Sequence, residues 1–344
     1  MGVKIFELVP KTELELTALS GKRLAIDTSL FLYQFLATIR QPDGSPLTDS
    51  KGRVTSHLIG LFSRTTKLLQ MGIKPCFVLD GKPPVLKKAE QARRAELKTE
   101  AEAKYHVAVE KDDVEGMRKY AARSIRLTKD MIAEAVKLIE ALGLPVVQGT
   151  GEGEAQAAYL ARQGDVWAAA SQDADSLVFG APRLVRNLAI TGRKKKPGQL
   201  AYINVRPELI ELKNVLGALK LDQDQLIALA MLVGTDYDIG GIKGIGPKKA
   251  FKLVTEHAHD FKTLFDAVQW SASFDVGWQE VFDLFKHPAV NKEYTLKWSM
   301  PNAKAVTSLL VDEHDFSAER VEKSLNDMFK TAEHKQQQGL ASFF

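Results

Sequence analysis

Seven carboxylates in this sequence are spaced to do chemistry together. Asp27 follows the apolar run Leu24 to Ile26, and Asp80 follows Cys76 to Leu79. Glu152 and Glu154 follow Pro145 to Val147, and Asp173 and Asp175 follow Val166 to Ala170. Asp236 stands just past a helical pattern from Asp222 to Val233, in GTDYD. Any single acid after a strand reads as a helix cap or a turn former. Six of them at the ends of four runs do not, because uncompensated carboxylates in one cleft repel and raise each other's pKa. Divalent cations resolve that conflict. An all-oxygen, carboxylate-rich set suits Mg²⁺ or Mn²⁺. Two such ions about 4 Å apart activate a water and stabilise the leaving oxygen of a phosphodiester. The seven histidines are scattered, so no softer-metal cluster competes, and His57, in VTSHL, reads as a helix or core residue.

These acids need a frame that brings them together. The four apolar runs read as buried parallel strands. Between them lie helical patterns, Ser56 to Gln70 and Met131 to Leu142, the second stopped by Gly143. Strand–helix alternation predicts an α/β fold with a mostly parallel central sheet flanked by helices. Ligands of such sheets bind at the carboxyl ends of the strands, which is where the acids fall. In extended or turn backbone, i,i+2 pairs face the same way. Residues 82–130 are charged, helix-prone and poor in large apolar side chains, and read as a helical insertion outside the core. After about residue 215 the pattern is mainly helical, and the run Thr331 to Gln338 reads as a flexible tail.

Composition narrows the classes. The 344 residues are 45% apolar and 26% charged, ordinary for a globular protein. No apolar run approaches the roughly 18 residues of a membrane helix, and MGVKIFELVP lacks the features of a signal peptide. Phe6 stands where myristoylation needs Ser or Thr. Cys76, the single cysteine, sits in a strand-like run and reads as a buried hydrophobe, which fits a reducing interior without disulfides. The net charge is +4 and the pI about 8.9. Basic residues cluster without acids in 183–196 (Arg183, Arg186, Arg193, Lys194, Lys195, Lys196) and in 243–252, although 193–196 alone reads as a solvated loop.

The segments RLAIDTSLFLYQFL, TSHLIGLFSRT, FVLDGKPPVLK, GEGEAQAAYL, SQDADSLVFG, VGTDYD, IKGIGPKKA and the tail QGLASFF, in that order and spacing, resemble the flap endonucleases over almost the whole chain. The resemblance implies a helical arch at 82–130 and a helix–two-turn–helix near 234–255, with activity on 5′ flaps of branched DNA in replication and repair. It implies that Asp27, Asp80, Glu152, Glu154, Asp173, Asp175 and Asp236 hold two Mg²⁺ ions, with Mn²⁺ as a substitute. It also implies that Tyr33 stacks on a substrate base, and that Lys87 and Arg94, which with Lys98 are spaced along one helical face, contact the scissile phosphate. Arg40, Gly244, Gly246, Lys248 and Lys249 would bind DNA, the glycines by letting backbone N–H groups approach phosphates. A K⁺ ion is implied at the same turn, although Asp238-Ile239-Gly240-Gly241 is one residue longer than in eukaryotic relatives and offers no serine hydroxyl. Gln337, Leu340, Phe343 and Phe344 match the box that binds the ring-shaped sliding clamp of the proliferating cell nuclear antigen type.

The expected organisation is one nuclease domain over 1–330. It has an N-terminal region (1–105), an internal region (123–260), a C-terminal helical part (261–330) and a clamp-binding tail (331–344). An archaeal-type, intracellular monomer with flap endonuclease and 5′–3′ exonuclease activity is expected, in the cytoplasm or nucleoid. The alternative, a catalytically dead DNA scaffold tethered to the clamp, would have lost a core acid, and all seven are present.

Overall fold

Leu24 and Ile26 face one way from their strand and Ala25 the other. The same alternation sets Phe77 against Cys76 and Val78, and Ala168 and Ala170 against Ala169. Strands apolar on both faces belong at the centre of a sheet covered on both sides. The structure, a computed structural model, describes residues 2–190, 192–195 and 202–341. Its strands are β1 (Thr12–Glu13), β2 (Arg23–Asp27), β3 (Lys74–Leu79), β4 (Val146–Gln148), β5 (Ala168–Ala170), β6 (Arg183–Arg186), β7 (Gly192–Lys195), β8 (Tyr202–Val205) and β9 (Glu208–Glu211). Seven form one sheet in the order β1-β9-β6-β5-β2-β3-β4, while β7 and β8 pair separately. From β4 to β6 the neighbours are parallel, and β9 runs antiparallel to both β6 and β1. The mostly parallel α/β sheet is therefore as the sequence predicts. After β4 the chain crosses to the far side of β2, so the strand order reverses between β2 and β5 and opens a crevice at their carboxyl ends.

Helices α1 (Thr28–Thr38) and α2 (Ser56–Gln70) cover one face of the sheet. Helices α3 (Lys88–Glu110) and α4 (Val114–Arg123) leave it as a hairpin, and α5 (Lys129–Ala141) returns to the first face. The other face carries α6 (Gly153–Gln163), α7 (Asp175–Val178), α8 (Leu212–Leu219), α9 (Gln223–Val233), α10 (Pro247–His257), α11 (Phe261–Ala267), α12 (Trp270–Ser273) and α13 (Trp278–Lys286). Helices α14 (Ala303–Thr307) and α15 (Ala318–Ala341) close back on the first. Among the described residues, no helix is long and apolar enough to cross a membrane. Helix α2 has the bounds read from the sequence. Helix α5 stops at Gly143, whose φ is +73° and where a Cβ would lie 2.3 Å from the Ser299 carbonyl.

Two expectations change. The basic residues 193–195, read together with Lys196 as a solvated loop, lie on a strand. Arg183 and Arg186 lie on β6 and pair across the ladder with Glu211 at 3.4 Å and Glu208 at 2.8 Å. Arg193 to Lys195 belong to β7, and Lys196 lies outside the described residues. These acid partners come from β9, so a local count of charge misses them. Likewise the backbone of α15 runs on through 331–338, the stretch read as a flexible linker. That stretch contains no Gly or Pro to break a helix and is rich in helix formers.

A buried polar network ties the C-terminal part to the first face. His314 Nδ1 lies 3.1 Å from Asp49, and its Nε2 lies 3.4 Å from Glu134 of α5. His57 of α2 is fully buried, and its Nε2 lies 3.3 Å from the same Glu134 carboxyl without hydrogen-bond geometry. Burial, helped by the nearby His314, lowers the pKa of His57 to about 4. His57 is thus neutral when folded, while the unfolded chain takes up a proton near the ordinary 6.5. This group's contribution is intact above pH 6.5 and is lost as pH falls from there towards 4, by about 3 kcal/mol in all. Urea unfolding midpoints measured across this window should fall more steeply for the wild type than for His57→Leu. Parallel curves for the two proteins would refute the assignment.

Candidate active site

The carboxyl edge of the sheet gathers the acids through local backbone geometry. Asp27 ends β2 and caps α1, accepting the Leu30 N–H at 3.1 Å. Asp80 follows β3 and accepts the Gly153 N–H at 2.7 Å and the Ser29 hydroxyl at 2.5 Å. Glu152 stands at the N-cap of α6, and Glu154 in its first turn accepts the Ser171 hydroxyl at 2.7 Å. Beyond β5, Asp173 accepts the Gly2 N–H at 2.9 Å and Asp175 the Val3 N–H at 2.7 Å. Asp236 arrives from the loop after α9 and is buried with Asp27, Glu152 and Asp175.

Their charge is only partly compensated. Burial first, then Asp80, raises Asp27 well above the ordinary carboxylate range. Burial, then Asp175 and Asp27, does the same to Glu154. Burial lifts Asp175 to about 7 against the hydrogen bond from Val3, and Asp173, Asp236 and Glu152 add to the rise. The cations present come from the insertion. Lys87 Nζ bonds Glu152 and lies 3.0 Å from Asp236, and Arg94 donates Nη2 to Asp236 at 2.6 Å. Burial opposes the charge of Lys87, but these two carboxylates outweigh it and push its pKa up.

Among the described residues, no three acidic, His or Cys side chains close around one point as a ready-made metal shell. Serine hydroxyls, backbone N–H groups and the cations of the insertion hold the carboxylates instead. The donor chemistry nevertheless fits hard divalent cations. The set is all oxygen, and burial together with neighbouring carboxylates presses protons onto Asp27, Glu154 and Asp175 for want of positive charge.

The other predicted residues divide. Tyr33 is half-buried on α1, with Lys98 Nζ 3.1 Å from its hydroxyl and 4.9 Å from its ring centre. Lys98 thus faces the tyrosine rather than the acids. Lys87 closes the 3₁₀ turn Val85–Lys87 just ahead of α3, so the three basic residues do not share one continuous helical face. Arg40 is remote from the acids. It donates to the carbonyls of Leu36 at 2.8 Å and Gly44 at 2.5 Å, and it lines a cavity of about 180 Å³ with Tyr105 and Arg126 of the insertion. Gly244 has a φ of +79°. Gly246 is the N-cap of α10, with Pro247 behind it and Lys248 and Lys249 exposed in the first turn. Buried Ile242 and Ile245 anchor that turn. Gln337 and Leu340 fall in the backbone of α15, whereas Phe343 and Phe344 lie outside the described residues.

Sequence reading misses Ser29, Ser171 and, above all, Gly2. A Cβ on Gly2 would sit 2.4 Å from Asp173 Cβ and 2.8 Å from Asp175 Oδ1. No spacing signal marks a backbone donor 171 residues from its acceptor.

With this geometry in place, the similarities become specific. Residues 1–101 match the XPG N-terminal domain and residues 143–236 the XPG I-region. Flap endonuclease 1 of Pyrococcus abyssi is 50% identical, over 100% of this chain and 98% of the relative. Flap endonuclease 1 of Aeropyrum pernix is 50% identical, over 97% of this chain and 96% of the relative. The solved flap endonuclease-1 from Methanococcus jannaschii superposes with a TM-score of 0.75 at 40% identity, covering 97% of this chain and 100% of that one.

Gly2→Ala should push Asp173 and Asp175 apart without touching the core. Calorimetric titration with Mn²⁺ is expected to show at least about tenfold weaker binding (roughly 1.4 kcal/mol) with little change in melting temperature. Unaltered Mn²⁺ affinity would mean that the Gly2 backbone does not order the acids.

Proposed function

The chain belongs to the flap endonuclease family, and from that premise we propose that it cuts 5′ flaps from branched DNA through Asp27, Asp80, Glu152, Glu154, Asp173, Asp175 and Asp236. The observation that carries this reading is the meeting of acids from four strand ends and the loop after α9 with Lys87 and Arg94 of the insertion. Water adds to phosphorus, the bond to the 3′ oxygen breaks, and the products are a 5′ phosphate and a 3′ hydroxyl. Divalent cations bound by the carboxylates, two Mg²⁺ by our reading with Mn²⁺ as a substitute, supply Lewis-acid activation of the water and the leaving oxygen.

The chain's own groups do the rest. Lys87 and Arg94 neutralise the scissile phosphate as charge builds there. Tyr33 stacks on the adjoining base, which reads structure rather than sequence. Lys248 and Lys249, with the backbone around Gly244 and Gly246, grip a duplex phosphate run, and Arg40 adds a contact at the base of the arch. A K⁺ ion held largely by carbonyls belongs at the same turn. The enzyme works as a monomer over 1–330, has 5′–3′ exonuclease activity, and acts in the cytoplasm or nucleoid of an archaeal-type cell.

A labelled double-flap substrate should be cut in Mg²⁺ and left whole in EDTA, and blunt duplex and single strand should be poor substrates. Asp175→Ala should abolish cutting while DNA binding is kept or strengthened, since one negative charge leaves the cleft. A rate for Asp175→Ala within tenfold of wild type would rule out its place among the metal ligands.

The tail is the second functional element. Gln337, Leu340, Phe343 and Phe344 form the box for a sliding clamp of the proliferating cell nuclear antigen type, and its three apolar members suit a partner's pocket. Each buried phenylalanine contributes roughly 1.5–3 kcal/mol before the ordering cost. Phe343→Ala with Phe344→Ala should therefore weaken clamp binding by about two orders of magnitude and leave cutting of free flap oligonucleotides unchanged. Equal clamp affinity after removal of Gln337 to Phe344, measured by calorimetry, would show that the tail is not the tether.

A further inference from the structure

Helix α3 buries only Glu90, Ala101 and Ala108. The alanines pack without penalty, but a carboxylate that is 3% exposed needs partners to remain charged. It has two. Arg93 closes a fork on it, with Nε to Oε2 at 2.7 Å and Nη2 to Oε1 at 2.8 Å. Arg94 donates Nε to Oε1 at 2.6 Å. Burial pushes the Glu90 pKa up, but the bonds from Arg93 and Arg94 outweigh it and hold it at about 2. Nη2 of the same Arg94 guanidinium donates to Asp236 at 2.6 Å. A planar guanidinium held at both Nε and Nη2 has its plane and direction fixed.

We propose that Glu90 is a positioning residue, which aims the Arg94 guanidinium into the carboxylate cluster so that a phosphate oxygen can take the place of Asp236. The proposal rests on the nuclease reading above. Charge alone gives no reason for an acid here. Beside seven carboxylates, in a cleft that receives a polyanion, another negative group weakens binding. What Glu90 supplies is geometry, because a donor already aimed needs no reorganisation as the transition state forms. The trio of buried Glu90 with part-exposed Arg93 and Arg94 carries +1, and without Glu90 it would carry +2. Loss of Glu90 must therefore slow the reaction while leaving DNA affinity equal or higher. A carboxylate that merely held the arch together would, on removal, weaken affinity along with rate.

The test compares single-turnover cutting of a double-flap substrate and its dissociation constant by fluorescence anisotropy in Ca²⁺. The proteins are wild type, Glu90→Ala, Glu90→Gln, Arg94→Ala and the Glu90→Ala/Arg94→Ala pair. Glu90→Ala should be slower by about tenfold to a hundredfold, the scale of a misplaced catalytic group, with affinity unchanged or tighter. Glu90→Gln, which keeps the shape and one acceptor oxygen, should recover part of the rate. The pair should be no slower than Arg94→Ala alone, since Glu90 acts through Arg94. A Glu90→Ala rate within threefold of wild type, an additive loss in the pair, or affinity that falls along with the rate would each overturn the proposal. Failure of the wild type to cut, or an Arg94→Ala enzyme as fast as wild type, would overturn the arch reading and Glu90 with it. A slow Arg94→Ala beside a fast Glu90→Ala would remove Glu90 alone.

Discussion

Asp27, Glu154 and Asp175 each hold their protons more tightly because of burial and because neighbouring carboxylates stand near. The rest of the structure depends on tolerating that repulsion. A fold that gathers carboxylates at one edge gives up stability there, and it must recover it elsewhere. The parallel sheet does so with two apolar clusters, one on each face, built from strands whose side chains alternate between them. At the edge itself the acids are not left to water. The Gly2 and Val3 backbone, the Ser29 and Ser171 hydroxyls and the Gly153 N–H each hold one carboxylate in place. Neutral donors orient a carboxylate without cancelling its charge, so the pull on a cation is preserved.

The reversal of strand order between β2 and β5 explains why these positions and no others carry the acids. Only there do neighbouring connections leave in opposite directions and free the strand ends. Asp27 and Asp173 come from the two sides of that opening, and Asp80 and Glu152 extend the line along β3 and β4. Among the described residues, the opposite end of the sheet holds no such set. It is where Trp298 donates to the Pro75 carbonyl at 2.7 Å and Arg23 lies over the same indole at 5.3 Å, contacts that serve packing.

Much of this was legible from residue order because it is local. Ser56–Gln70 reads as a helix from its own periodicity, and the strand-end acids read as a site because short strands put carboxyl ends and following residues at one edge. What stayed hidden is long-range. Ser29 and Asp80 are 51 residues apart, and Gly2 and Asp173 are 171, and neither spacing carries a periodic signal. The β6 arginines looked unpaired for the same reason, since their acids arrive on β9. Glu90 was missed differently. On a charged helix an acid three and four residues before two arginines looks like routine surface pairing, and only burial sets it apart.

The composition of the insertion follows from its place. A helix packed into the core by leucines would be fixed to the body, whereas α3 buries two alanines and one paired carboxylate. Small buried area means that local opening costs little. Its ties to the body near the acids are ionic, from Lys87 and Arg94 to Glu152 and Asp236. Ionic ties can be exchanged for other ionic ties at small net cost, because an entering phosphate offers the two cations oxygens much like those they leave. An apolar contact of the same strength would have no such substitute and would have to be broken outright. Few apolar contacts and many charged ones are thus what an element needs if it is to hold a substrate against a negatively charged edge and then release it.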